Sequence, residues 1–442
     1  MCFCNKSSTF AVGMKITSLL KSSAIRNFAK LLSANVVAQV IGLLIYPILT
    51  RMYAPEDFGL LNLFLSIGNV LVVLALADYY YSIVLPKDDR HAAALVHTSF
   101  FLLLSTTALV ALSIFFARPI SMIFKSPDLA RYYWMLPIYV CVMGAWNILN
   151  YWFVRQKQFG RISAYQISQS VLSAGAKITL GSARVLQAGM IYSVVVAPAI
   201  SLISSLVSAP KKHLLPLFDI SFSDVREQSK VYRNFPLFVL PRSFINVLAG
   251  QLPVLLLTPF FGAKFVGLLS MAVLLGFTPI GTISRAIYQV LYQDTTQRVH
   301  AGQTIGAIYW RFVGFSTLIV LPVFGVLLVV LPDLTEWLLG SEWRVVGEYI
   351  RWMLPWLYLS LIVGSTCYLS DVFMQQKTGL LFEILLAICR VAGLGLGIYS
   401  GNFLVAIIGY SIGTTLAVLA QFVWLSCLVR NYDKGLAINK SL

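Results

Sequence analysis

The chain has 442 residues, of which 58% are hydrophobic and only 11% are charged. A soluble globular protein carries about 25% charged residues, so this composition indicates a membrane protein. The formal net charge of +16 would suit a nucleic-acid binder, but the cations are spread over short loops. No RNP, zinc-finger or helix-turn-helix motif accompanies them, so we expect no nucleic-acid partner and interpret the charge as a marker of membrane orientation.

Twelve apolar stretches approach the roughly 20 residues that a bilayer-spanning helix needs. They predict an all-α membrane protein with two pseudo-symmetric six-helix lobes, 31–208 and 236–428, around a central cationic cavity. Residues 1–30 are expected to be a cytoplasmic segment, starting at Met1 or Met14, 209–235 an inter-lobe linker and 429–442 a cytoplasmic tail. The predicted spans are 31–50, 58–80, 93–116, 132–154, 162–181, 187–208, 236–260, 265–291, 312–332, 350–371, 378–399 and 403–428.

Lys and Arg residues are unevenly distributed between alternate sides of these spans. With the N-terminus inside, 22 of the 33 cationic residues fall on the inner side, eight on the outer side and three within spans. Cytoplasmic loops carry the excess of Lys and Arg in membrane proteins, so both termini are expected in the cytoplasm.

Two segments that lie 208 residues apart resemble each other: Ile48–Asn62 and Leu256–Ser270 share a Leu-Thr pair and a Gly-Leu-Leu triplet at the same offset, and Tyr80 matches Tyr288. Both copies begin after an even number of spans, which indicates a parallel repeat. Transporters built from repeats place their substrate between the halves near the middle of the membrane. The alternative is a chance similarity between two leucine-rich helices.

Three cations interrupt the apolar stretches: Lys177, Arg242 and Arg390. A charge at the centre of a bilayer costs ~2.5–3.5 kcal/mol on an insertion scale, so such residues usually face a bundle interior or a water-filled cavity. Together with Arg51 and Arg285 they are the candidates for binding an anionic substrate. The alternative is that these side chains extend to the interface and leave their charges among the headgroups.

Other polar residues within the spans are candidates for ion coupling and for glycan contacts. Asp78 ends the second span, whereas Glu383 and Arg390 share one helical face and form either an ion-coupling pair or a structural pair. Single amides often only join helices, but as a group they suit sugar hydroxyls, and an indole suits a sugar face. The glycan-contact candidates are Asn35, Gln39, Asn62, Asn69, Trp146 and Asn147.

The sequence contains no motif of an enzyme. It has no P-loop, H-E-x-x-H, nucleophile elbow or kinase motif. The four histidines and six cysteines form no set of metal ligands and no disulfide framework. We therefore expect no enzyme activity, no metal and no cofactor.

Several short motifs resemble those of bacterial polysaccharide exporters. The chain is similar to the Wzx-type O-antigen flippases, of the multidrug/oligosaccharidyl-lipid/polysaccharide exporter superfamily, over nearly its whole length beyond residue 14. Lys264 stands where that family often has an acidic residue. The motifs are Thr50-Arg51, Ala54-Pro55-Glu56-Asp57-Phe58-Gly59, Arg233-Asn234-Phe235-Pro236, Gln251-Leu252-Pro253 and Tyr288-Gln289-Val290-Leu291-Tyr292-Gln293.

The resemblance implies a multi-pass protein of the bacterial inner membrane that moves an undecaprenyl-diphosphate-linked oligosaccharide to the periplasmic leaflet. The diphosphate is the expected ligand of the cations, and H⁺ or Na⁺ the expected source of energy. Membrane lipids, an O-antigen polymerase and a chain-length regulator are the further expected partners. Two alternatives stay open. A drug/cation antiporter of the same superfamily would favour acidic residues within its spans, and an O-antigen polymerase would have a large periplasmic loop.

Overall fold

The computed structural model describes residues 37–210, 215–217 and 220–441, and these residues form helices without any strand. Long apolar stretches produce this result because helices satisfy every backbone hydrogen bond within one segment, as a bilayer requires. The prediction of an all-α membrane protein is confirmed. The N-terminal segment up to residue 36, which includes Asn35, and the linker residues 211–214, 218 and 219 lie outside the described residues.

The first half of the described chain contains eight helices, with a 3₁₀ turn at Tyr79–Val84 between the second and third. The helices are α1 Val37–Leu49, α2 Pro55–Leu76, α3 Asp89–Leu112, α4 Ala117–Ile123, α5 Pro127–Tyr132, α6 Met135–Arg155, α7 Phe159–Ser182 and α8 Leu186–Val207.

The second half begins with a short helix that is too polar to cross a membrane and continues with long apolar helices. A single residue, Gly262 (φ 82°), separates α10 from α11 because glycine accepts this left-handed conformation without strain. The helices are α9 Phe222–Val231, α10 Leu240–Phe261, α11 Ala263–His300, α12 Gly306–Leu339, α13 Arg344–Thr366, α14 Leu369–Val372, α15 Gln376–Ser400 and α16 Phe403–Ser441.

Nine segments of the described chain are long and apolar enough to cross a membrane. The remaining predicted spans, the first, fourth and fifth, correspond to α1, α6 and α7, which are helical but do not belong to these nine. Helix α7 carries glutamines, serines and Lys177, and the described part of α1 is short. The structure therefore supports a multi-pass membrane protein and leaves the number of twelve spans as a prediction.

The chain forms two compact units. The first contains the described residues up to Leu49, Ile67–Arg118 and Ala130–Leu248, and the second contains Thr50–Ser66, Pro119–Leu129 and the residues from Ala249 onwards. Two segments from the predicted first lobe, including the beginning of α2, thus belong to the unit that holds most of the second half. The lobe boundaries predicted at 208 and 236 differ from this division.

Within the first unit, α9 is attached to the beginning of α3. Arg90 and Asp224 form an ion pair at 2.9 Å, and the Tyr79 hydroxyl donates to the carbonyl of Ser229 at 2.9 Å. The Ser221 amide and the Arg90 guanidinium both lower the pKa of the Asp224 carboxyl, because each stabilises its charged form. The polar helix of the linker is thereby held at the end of a membrane-spanning helix.

Within the second unit, small residues allow α15 and α16 to approach closely. A Cβ placed on Gly393 would overlap the backbone of Gly409, and one on Gly397 would overlap Ala406. Beyond its apolar part, α16 continues to Asp433, whose carboxylate accepts the amide hydrogens of Ile305 (2.9 Å) and Gly306 (2.8 Å) at the beginning of α12. Helix α16 thus supplies the N-terminal cap that α12 lacks in its own sequence.

Candidate functional site

A polar cavity of about 320 Å³ lies between α1 and α7 in the first unit. On α7 its lining residues recur at positions i, i+3, i+4, i+7, i+8 and i+11, which places them on one helical face. The Ser170 hydroxyl donates to the carbonyl of Ala38 at 2.8 Å, which joins the two helices beside the cavity. The lining consists of Ala38, Gly42, Ile45 and Tyr46 from α1 and Gln166, Gln169, Ser170, Ser173, Ala174 and Lys177 from α7.

Lys177 is half-buried in this lining, which we call the Lys177 pocket. The side-chain oxygen of Gln166 in the same lining is buried and receives no hydrogen bond from the described residues. A buried acceptor without a donor is uncommon in native structures and calls for an explanation. The pocket therefore combines a cation, amides and hydroxyls, which is the donor set that a phosphorylated sugar requires.

The other four predicted cations do not line the Lys177 pocket. Arg242 belongs to the first unit and is exposed on α10, whereas Arg51 and Arg285 are exposed within the second unit. Arg390 is half-buried between α15 and α16, with its guanidinium 5.5 Å from the centre of the Tyr410 ring and its Nε 3.4 Å from the Thr414 hydroxyl. A single cavity containing all five cations stays a prediction.

The two acidic candidates lie in different environments. Asp78 is only 1% exposed and follows Ala77 in a turn where both residues have positive φ. Glu383 is exposed on α15, and the described residues show no ion pair between it and Arg390. Their seven-residue spacing does place them on one face, but Arg390 instead contacts α16. The structural pair is therefore not formed, and a role of the two residues in ion coupling stays a prediction.

Two of the six glycan-contact candidates form hydrogen bonds within the protein. The Asn62 amide donates to the carbonyl of Phe58 at 2.8 Å, and the Asn69 carbonyl accepts the Tyr139 hydroxyl at 2.8 Å. Gln39 and Asn147 are half-buried, and Asn35 lies outside the described residues.

Trp146 is buried with its ring stacked on Tyr165 at a centroid distance of 3.3 Å. It therefore has no open face for a sugar, and the interpretation of this residue was wrong. The indole is buried because α6 packs against α7, which carries Tyr165. The spacing of residues along one helix does not reveal such a contact.

Three tyrosines that the sequence analysis did not predict as site residues form an aromatic group in the second unit. Tyr288 and Tyr292 are one helical turn apart on α11 with ring centroids 5.8 Å apart, and Tyr368 packs edge-on against both. The i, i+4 spacing within the motif Tyr288–Gln293 was the available signal. The contribution of Tyr368, more than seventy residues away, required the tertiary structure.

The helices α2 and α11 cross closely at their beginnings, within the second unit. A Cβ on Gly59 would overlap the carbonyl oxygen of Ala263, and one on Gly267 would overlap that of Pro55. Gly59 and Gly267 are equivalent positions of the predicted repeat, and each contacts the other helix. Lys264 Nζ lies 3.6 Å from Glu56 Oε1 beside them. We call this contact the α2–α11 crossing.

Comparison with known proteins places the chain in a family. A family model described as "Polysaccharide biosynthesis protein" matches residues 48–348, which is more than half of the sequence. The chain belongs to this family.

A relative of this polysaccharide biosynthesis protein is the succinoglycan biosynthesis transport protein ExoT of Rhizobium meliloti (strain 1021). The two are 21% identical over 299 residues, which are 67% of this chain and 58% of ExoT. The match thus extends over little more than half the length of that relative. The sequence-based assignment to the polysaccharide exporters is confirmed at the level of the family.

Solved structures show which fold this polysaccharide biosynthesis protein shares. The inward-facing conformation of a multidrug resistance MATE family transporter of the MOP superfamily has a TM-score of 0.68 at 14% identity, covering 90% of this chain and 96% of that one. The lipid II flippase MurJ in its inward closed conformation has a TM-score of 0.67 at 12% identity, covering 92% and 91%. The outward-facing MATE conformation gives a TM-score of 0.61 at 15% identity, with 94% and 98% covered. The fold is that of a transporter.

Proposed function

We propose that this protein is a flippase for an undecaprenyl-diphosphate-linked O-antigen or related polysaccharide repeat unit. It moves this lipid from the cytoplasmic to the periplasmic leaflet of the bacterial inner membrane. The observation that carries the proposal is the Lys177 pocket, which brings a cation, amides and hydroxyls together between α1 and α7 in a chain of the polysaccharide biosynthesis family. The Lys177 ammonium binds the diphosphate, and the amides and hydroxyls of α7 bind sugar hydroxyls.

Transport by alternating access requires a contact that closes one side and separates during the cycle. The α2–α11 crossing suits this role because residues 50–66 from the first half pack against the second half there. Its neighbouring contacts combine an aromatic pair with two hydrogen bonds: Phe58 packs edge-on against Trp343 at a centroid distance of 5.1 Å, the Trp343 indole donates to the carbonyl of Thr50 at 3.2 Å, and the Ser66 hydroxyl donates to Gln251 at 2.7 Å. Water can replace the two hydrogen bonds when the helices separate.

An ion gradient supplies the energy in this proposal, carried by H⁺ or Na⁺. Asp78 is the better of the two acidic candidates because it is buried, whereas Glu383 is exposed. A buried carboxyl strongly prefers to be neutral or paired with a cation. Binding or release of an ion at Asp78 therefore changes the free energy of keeping this side chain buried. An O-antigen polymerase and a chain-length regulator are the proposed partners downstream of the transported product.

The proposed orientation has both termini in the cytoplasm and is tested by reporter fusions. Fusions after Lys212 and Lys434 should behave as cytoplasmic, and fusions near Lys125 and Ser341 as periplasmic. A periplasmic signal at Lys212 would contradict the model of two six-helix halves.

A drug/cation antiporter is the second candidate, favoured by the fold shared with the MATE transporter. The charges within the helices argue for the flippase. A cationic drug would be repelled by Lys177, Arg242 and Arg390, and the acidic candidates that could attract it are two, buried Asp78 and exposed Glu383. Drug efflux from intact cells, compared with and without the protein, distinguishes the two functions.

The decisive experiment examines the lipid-linked intermediates in a strain that lacks this gene. We expect complete repeat units to accumulate in the cytoplasmic leaflet and the wild-type gene to restore surface polysaccharide. Lys177→Gln should lower restoration at least about tenfold, because a charge-assisted phosphate contact is lost, and Lys177→Arg should recover part of it. Lys230→Gln, an exposed cation on α9, is the matched control. Repeat units found in the periplasmic leaflet of the deletion strain would contradict the proposal and indicate a polymerase.

A further inference from the structure

The second half of α11 has two exposed sides of opposite character. Ile283 and Val290 are 52% and 68% exposed, and two residues beyond each of them lie Arg285, also exposed, and Tyr292, 41% exposed. With 3.6 residues per turn, a step of two residues reaches nearly the opposite side of a helix. The aliphatic side suits lipid tails. The side with the cation and the tyrosine suits polar surroundings instead.

Tyr288 and Tyr292 form a platform on the polar side of α11, which we call the tyrosine platform. Their rings are nearly parallel, with an interplanar angle of 18°. Tyr368 supports both rings edge-on, at centroid distances of 5.6 and 5.7 Å. Tyr368 is itself buried, and its hydroxyl lies 2.8 Å from that of Thr295. The platform is therefore held in place from behind while Tyr292 stays accessible.

The repeat-equivalent position in the first unit lacks this accessibility. Tyr80, the match of Tyr288, also belongs to a group of three, with Tyr81 and Tyr151 at centroid distances of 4.2 and 5.1 Å. Tyr80 is, however, buried at the 3₁₀ turn. Of the two groups, the one in the second unit is thus the one with an exposed tyrosine, Tyr292.

Arg285 precedes the platform on the same side of α11, three residues before Tyr288 and seven before Tyr292. Its Nε donates to the carbonyl of Gly281 at 3.2 Å, and no carboxylate of the described residues forms an ion pair with it. Seven residues of helix extend about 10 Å, so a cation and a flat apolar surface lie in sequence along one face. A diphosphate followed by its first sugars has the same order: an anionic group for the cation, then sugar rings for the flat apolar surface.

We propose that this face binds the junction between the diphosphate and the glycan of the transported lipid. Arg285 binds phosphate oxygens, and the tyrosine platform stacks against the apolar face of a sugar ring, an arrangement that aromatic rings with a polar hydroxyl favour. The neighbouring Gln289 adds an amide for sugar hydroxyls. This inference rests on the proposed function and adds to it a sugar-binding surface in the second unit.

The test measures binding of two lipids to the purified full-length protein in nanodiscs. One probe is the lipid-linked oligosaccharide extracted from the deletion strain, and the other is undecaprenyl diphosphate without sugars. Tyr292→Leu should weaken binding of the glycosylated lipid about fivefold to tenfold, the effect of losing one stacked ring, and leave the sugar-free lipid unchanged. Arg285→Gln should weaken both probes.

Controls separate recognition from damage to the fold. Tyr292→Phe keeps the ring and should bind both lipids nearly as the wild type does. Tyr399→Leu, which removes a tyrosine that is 94% exposed on α15, should change neither. Equal losses for both probes in Tyr292→Leu, or no loss, would overturn the sugar platform while the proposed function stands. A wild-type protein that binds neither lipid would overturn both.

Discussion

The α2–α11 crossing gives the most direct test of the proposed transport cycle, through Gly267→Ala. A Cβ on Gly267 would lie 2.8 Å from the Gly59 amide nitrogen and overlap the carbonyl oxygen of Pro55. Ordinary contacts of a Cβ begin near 3.4 Å, and the opposing atoms are backbone, which does not rotate away. The two helices must therefore separate by several tenths of an ångström or more.

The expected cost follows from this overlap. An extra methyl group in a well-packed contact costs about 1–3 kcal/mol. The penalty applies only while the crossing is closed, so it shifts the equilibrium between closed and separated states by roughly 5-fold to 150-fold. Flipping should fall because the protein seldom closes this side.

Labelling of a buried cysteine measures the shift. Ser66 on α2 is 1% exposed and donates a hydrogen bond to Gln251 within the second unit. The variant Ser66→Cys, in a protein whose six native cysteines are replaced by serine, therefore reacts with a thiol reagent only when α2 separates. A membrane-impermeant maleimide should react faster in Gly267→Ala by the same factor as the equilibrium shift, as long as opening is fast and rare.

Gly314→Ala is the matched control, since no atom lies within 4 Å of a Cβ placed on this helical glycine. Both substitutions gain the same intrinsic helix propensity, about 1 kcal/mol over glycine, so a difference between them reports the contact alone. Equal labelling and equal transport in the two variants, at equal abundance in the membrane, would refute a closing role for the crossing.

Three further predictions follow from contacts within single units. Asp433→Ala removes the cap of α12 and should cost roughly 0.5–2 kcal/mol, seen as a lower melting temperature of the purified protein; an unchanged temperature would contradict the capping role. Gly393→Ala should destabilise the α15–α16 contact by about 1–3 kcal/mol, whereas Gly395→Ala, with open space around its Cβ, should not. The pKa of the Asp224 carboxyl is lowered in the folded protein. The stability that its charged form adds to the fold is therefore complete above the unfolded pKa of about 3.9 and is lost as pH falls through the lower folded value. Proteolysis at α9 should therefore increase in acid for the wild type, and an equally acid-sensitive Asp224→Asn would contradict this.

The sequence by itself determined the class of the protein and its family. Apolar stretches of about 20 residues predict membrane helices because an unpaired backbone is not tolerated in lipid, and this depends only on local composition. The motifs around Gly59 and Tyr288 identified the polysaccharide exporters, which the family match confirmed. Lys177 could be singled out from the sequence alone because its charge interrupts an apolar stretch.

Only the tertiary structure decided which polar groups have partners and which remain accessible. Trp146 and Asn69 were predicted to contact sugars. In the structure Tyr165 stacks on the Trp146 ring, and the Tyr139 hydroxyl donates to the Asn69 carbonyl. Arg390 contacts Thr414 on α16 and forms no pair with Glu383 on its own helix. Periodicity shows which residues share a helical face, but the neighbour that covers this face comes from a distant part of the chain.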